Sequence, residues 1–162
     1  MPTIYGGRGG ELRVGLEDYE ADVLRNLTAE MLALLESEPP APDPVRARLF
    51  PDAFDDVDEE RAYRDLVGDE LRASKLNNTA MVRRKLGPDG EVELELTGDE
   101  TEAWLALLTD MRLAIGTRLG VTEEMMSAEP DPKHPEVTAI SVLHWLGWLQ
   151  EATLEKVTEE DG

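Results

Sequence analysis

The chain has 162 residues, 36 acids against 16 bases for a net charge of −20, and 41% apolar residues. That length fits one domain with enough apolar material to fold unaided, and it excludes a large second domain. The charge argues against nucleic acid, because phosphate repulsion must be overcome first, and the absence of cysteine excludes disulfides, thiolate metal ligands, a cysteine nucleophile and thiol redox sensing.

The first ten residues hold four glycines and no apolar stretch of the kind a secretory signal needs. Residues 1–11 therefore read as a flexible tail, and the protein as cytoplasmic. Leu12, Val14 and Leu16 alternate with Arg13 and Gly15, the period of a short strand. From Tyr19 the residues Val23, Leu24, Leu27, Met31, Leu34 and Leu35 share one side of an amphipathic helix.

Residues 38–58 hold five of the ten prolines, so they read as a long surface connection with at most a short turn such as Val45 to Phe50. Leu49, Phe50 and Phe54 are its expected anchors. A second helix is predicted from Asp58 to Lys85, stopped by Gly87-Pro88-Asp89-Gly90.

Val92, Leu94 and Leu96 alternate with glutamates at 91, 93 and 95, a second strand expected to pair with the first because each must satisfy its backbone groups. Thr97, Gly98 and Asp99 offer caps for a third helix ending at Gly120. The two strand-to-helix passages match at an offset of 80 residues: Gly10 with Gly90, Leu12 with Val92, Val14 with Leu94, Leu16 with Leu96, Glu20 with Glu100. Any strand entering an amphipathic helix would show some of this likeness.

A helical turn is expected at Thr122 to Met126, then a proline-rich loop, then a last helix from Pro135 to about Val157 and an acidic tail over 158–162. The fold class is mainly α: a four-helix bundle-like domain over 12–157 with a two-stranded antiparallel β-ribbon. No apolar run approaches the roughly 20 residues of a membrane span.

No catalytic signature emerges, and neither a metal nor another cofactor is expected. The two histidines lack the Glu-x-x-His spacing of a carboxylate-bridged metal bundle, and the glycine cluster precedes a strand instead of opening a helix as a phosphate loop does. Three other features stand out. Arg61 to Lys85 holds seven bases and three acids, and Arg61, Arg64, Arg72, Lys75 and Arg83 form a helical stripe away from Tyr63, Val67, Leu71 and Met81. The stripe either balances the acidic surroundings or docks to an acidic protein surface, with nucleic acid less favoured.

Glu70, Ser74 and Asn78 fall on the face assigned as apolar, and Arg118 falls on the apolar side of the third helix. These groups need partners, so a buried polar network joining Glu70 to Arg112 or Arg118 is expected. The last helix is apolar around most of its circumference, Trp145 and Trp148 included, and the excess surface predicts a homodimer or a protein partner.

Asp43-Pro44 through Leu49-Phe50-Pro51-Asp52-Ala53, the Tyr63 to Arg72 helix, Met111-Arg112-Leu113-Ala114-Ile115-Gly116-Thr117-Arg118-Leu119-Gly120-Val121 and His144-Trp145-Leu146-Gly147-Trp148-Leu149-Gln150 resemble an actinobacterial family of domains of unknown function, numbered 2017. The resemblance spans roughly Leu12 to Leu154. It implies a mostly helical cytosolic protein of a family often encoded near the ClpS protease adaptor and associated with transcriptional stress regulation. It supplies no catalytic residues. Any family mechanism based on cysteine pairing is absent from this chain.

The reading is a non-enzymatic regulatory or protein-interaction protein that binds through Arg61, Arg64, Arg72, Lys75 and Arg83 or through Trp145 and Trp148. The alternatives are a small-molecule sensor or enzyme with a polar pocket around Glu70, Asn78, Arg112 and Arg118, and a weak DNA binder using the basic stripe.

Overall fold

The computed structural model describes residues 1–36, 44–49, 57–120 and 132–161, with side chains in the third helix from Glu70 onward. Strand β1 (Thr3–Gly6) leads through a tight turn (Arg8–Gly10) to β2 (Leu12–Leu16), then to helices α1 (Asp18–Glu36), α2 (Pro44–Leu49) and α3 (Val57–Leu86). Strand β3 (Val92–Leu96), α4 (Gly98–Leu119) and α5 (Val137–Asp161) follow. The predicted turn at Thr122 to Met126 and the anchors Phe50 and Phe54 lie outside the described residues. Among the described residues no helix is long and apolar enough to cross a membrane.

The alternation in the two predicted strands works as expected: Leu12, Val14, Leu16, Leu94 and Leu96 are buried, while Arg13 sits 3.6 Å from Glu93 and 3.5 Å from Glu95 on the opposite face. The sheet has three antiparallel strands in the order β1-β2-β3, however, and not two. β1 pairs Ile4 with Val14, so the segment read as a tail is an edge strand. The glycines after it form its connection. Gly9 and Gly10 adopt φ of +65° and +79°, which L side chains rarely accept, and a Cβ on Gly98 would stand 2.3 Å from the carbonyl oxygen of Gly9. This turn is seated on the start of α4.

The offset of 80 residues has a physical counterpart. β2 and β3 pair so that Leu12 opposes Leu96, Val14 opposes Leu94 and Leu16 opposes Val92, a register that maps onto itself when the two passages are exchanged. Gly10 and Gly90 share φ of +79°. Glu20 accepts the backbone N–H of Glu17 at 2.9 Å, and Glu100 that of Thr97 at 3.0 Å, the same reach back over a helix start. At the second start the Thr97 hydroxyl accepts the Glu100 N–H in return, completing a capping box.

Helix α4 packs against α2, α3, α5 and β3, and Trp104, Leu107, Leu108 and Met111 are sealed in the core while Leu113 stays exposed. Helix α5 buries Ile140, Leu143, Leu146 and Leu149 against α4, β1, β2 and the Arg8–Gly10 turn. It continues through Asp161, so residues 158–161 extend the helix where a tail was expected. On α2, Val45 and Leu49 are the buried anchors.

The phase of α3 differs from the sequence reading. Leu71 is 42% exposed, and the inward face is Thr79, Val82 and Leu86 with partly buried Leu76 and Met81. The aliphatic stems of Arg72 and Lys75 lie half-buried on the same side, covering apolar surface while their charged ends reach partners.

Candidate functional site

The rotation of α3 decides the fate of the basic stripe. Arg72 donates from Nε to the carbonyl of Leu35 at 2.7 Å and from Nη2 to Glu36 at 3.1 Å, closing the C-terminal end of α1. Arg83 reaches the carbonyl of Arg25 at 3.1 Å. Lys75 Nζ stands 2.9 and 3.0 Å from the two carboxylate oxygens of Asp110 on α4. The side chains of Arg61 and Arg64 lie outside the described residues. The described members of the stripe therefore hold α3 to α1 and α4.

The reciprocal contact comes from a residue the sequence reading passed over. Arg25 of α1 donates to the carbonyls of Leu86, Gly87 and Gly90 at 2.8, 3.0 and 2.8 Å, closing the end of α3 where the helix dipole favours a cation. Each helix of this antiparallel pair thus carries an arginine cap for the other. The carbonyl-rich turn Gly87-Pro88-Asp89-Gly90 was the available signal.

The predicted buried network does not form. Glu70, Ser74 and Arg118 are exposed and Asn78 is half-buried; of the described residues on the face assigned as apolar, Leu71 is turned toward solvent while Met81 packs against the core. Among the described residues, polar links between core-packed helices include Lys75 to Asp110 and Trp104 Nε1 to the Thr153 hydroxyl at 3.2 Å, which in turn donates to the Leu149 carbonyl at 2.8 Å. Glu100, capping α4, has its carboxyl held below the usual glutamate range chiefly by the Thr97 backbone N–H, against a partial desolvation penalty and with help from Lys85.

Arg112 has a separate setting. Its Nη1 donates to Gln150 Oε1 at 2.7 Å, and Gln150 Nε2 donates to the Thr109 hydroxyl at 2.6 Å. Its Nε is buried without a hydrogen-bond partner. The guanidinium lies against Gly147, where a Cβ would come within 3.4 Å of Nη2. Beside it opens a groove of about 510 Å3 between α2, α4 and α5, lined by Arg48, Thr109, Arg112, Leu113, Gly116, Thr117, Gly120 and Leu143.

A second groove, about 470 Å3, runs between the starts of α1 and α5 and is mostly apolar, with Pro2, Tyr19, Val23, Val137, Val142 and Trp145 in its walls. Trp148, 37% exposed, stands one turn beyond Trp145, and Leu154, 47% exposed, lies farther along α5. Among the described residues no group of three or more histidines and carboxylates could hold a metal ion.

This chain belongs to the family described as domain of unknown function DUF2017, whose model matches residues 4–157. It is 29% identical to proteins named oxidative stress regulator AosR from Mycobacterium tuberculosis (strain ATCC 25618 / H37Rv) and Mycobacterium bovis (strain ATCC BAA-935 / AF2122/97). Each alignment runs over 177 residues and covers 88% of this chain and 80% of the relative. No solved structure matches.

Proposed function

We propose that this protein is a non-enzymatic regulator in an oxidative-stress response and that it acts by reversible binding to a protein partner. The names of its relatives support the stress role. The observation that carries the binding role is the apolar groove of Tyr19, Val23, Val142 and Trp145, whose wall runs on along α5 to exposed Trp148. Exposed aromatic residues beside an apolar cleft supply the anchor and pocket on which protein interfaces concentrate their binding energy. With no cysteine in the chain, its own thiol chemistry supplies no oxidation signal, and the input arrives through what it binds. A second copy of the chain is the first partner to test.

Tyr19 and Trp148 are exposed, so Tyr19→Ser and Trp148→Ser leave the core intact. In a strain lacking the gene, the wild-type protein restores tolerance to peroxide and the double variant, at equal abundance and equal melting temperature, does not. Sedimentation of both proteins reports whether the lost contact is self-association. Full tolerance with the double variant overturns the proposal.

A further inference from the structure

The geometry points to a binding site for a small organic anion in the groove between α2, α4 and α5, with Arg112 and Arg48 as its charged wall. This goes beyond the protein contact proposed above and does not depend on it.

No described residue compensates the charge of Arg112 with an ion pair. Its Nη1 donates to the neutral amide oxygen of Gln150, and its Nε is buried with no acceptor among the described residues. A buried donor left unpaired is costly, more so when it carries charge, and such groups are rare in native proteins. The guanidinium is nevertheless held in place. Gln150 is fixed by Thr109, Thr109 by the Leu105 carbonyl at 3.1 Å, and Gly147 gives the planar group room to lie against α5. An oriented cation without a carboxylate is arranged to receive one, since guanidinium forks match carboxylate and phosphate oxygens.

The walls agree with that reading. Arg48 projects from α2 and makes no hydrogen bond or ion pair with any described residue. The chain carries twenty more acids than bases, yet the described lining of this groove holds two arginines and no carboxylate. Thr117 adds a hydroxyl, while Leu113 and Leu143 supply an apolar wall, so the occupant has an acidic head on an apolar body. The volume, about 510 Å3, lies within the range of small-molecule sites.

Titration of the full chain with benzoate and with phenyl phosphate, followed by the NMR resonance of the Arg112 Nε–H and assigned by its loss in Arg112→Lys, tests the site. One of the two acids is expected to shift that resonance saturably, benzyl alcohol is expected not to, and inorganic phosphate is expected to bind more weakly than phenyl phosphate. Arg48 is exposed, so Arg48→Gln folds normally and weakens binding tenfold or more. A shift that grows linearly without saturating, equal binding by the neutral alcohol, or unchanged affinity in Arg48→Gln overturns the proposal. Equal affinity for inorganic phosphate and phenyl phosphate removes its organic part.

Discussion

The Lys75–Asp110 pair separates a structural role for the basic stripe from a docking role. The two side chains are 16% and 10% exposed, so both charges have left most of their water. At about 3 Å and an effective dielectric constant of about 20, their attraction is roughly 5 kcal/mol, and desolvation offsets most of it. Removing one member is different, because the other charge then stays buried alone. Lys75 has a further contact, which softens the loss, and Asp110→Ala is expected to cost about 3 kcal/mol.

Replacing both members with apolar residues of similar size, Lys75→Met with Asp110→Leu, is expected to return stability to within about 1 kcal/mol of wild type. Urea unfolding is the assay, with the slope unchanged and the midpoint moving. For a chain of this length the single change corresponds to roughly 6–12 °C in Tm. A cost below about 0.5 kcal/mol for Asp110→Ala, the range of ordinary surface changes, would refute the reasoning. A double variant less stable than the single would do the same, because the loss would then come from packing.

Arg25→Ala removes three charge-assisted hydrogen bonds from the end of α3 and is expected to cost about 2–4 kcal/mol, with hydrogen exchange accelerating first around residues 86–92. Unchanged exchange there would show that the turn closes without it. The folded Glu100 carboxyl titrates below its unfolded counterpart, so its ionised form stabilises the fold above the unfolded value near about 4.3. That contribution is lost as pH falls through the lower folded value. The Tm gap between wild type and Glu100→Gln should therefore be open at neutral pH and narrow below about pH 4; a gap that stays constant down to pH 3 contradicts the assignment.

Much of this fold was legible because its signals are local. Alternation marked β2 and β3, and Thr97, Gly98 and Gly120 marked the ends of α4, since caps and left-handed glycines act within a few residues of where they stand. β1 was missed for the converse reason. Thr3–Gly6 is too short to show a period, sits among glycines, and becomes a strand through pairing with β2. The phase of α3 was lost because its inner face includes Arg72, Lys75 and Thr79, whose residue types read as polar. That single rotation propagated: Glu70 was assigned as the partner of Arg118 or Arg112, yet its side chain is exposed. Arg112 was noticed, but Gly147 and Gln150, which hold it, gave no sign of it in their own helix.

The internal match shows why the departures matter more than the likeness. Exchange of the two strand-to-helix passages preserves strand register, glycine conformation and capping glutamate, all of which serve the frame. At the same offset Arg25 corresponds to Leu105, and Arg112 corresponds to Leu32. Each arginine is thus present in one unit alone, where it meets a surrounding the other unit lacks. Arg25 meets the closing turn of α3 and spends its donors there. Arg112 meets α5, packs its Nε unpaired against Gly147 and lines an open groove. Segments around Arg48 and Arg112 and the stretch His144 to Gln150, which carry the family likeness, meet at that second position. A frame that takes leucine at the equivalent position has no need of a guanidinium there, and the proposed ligand gives it one.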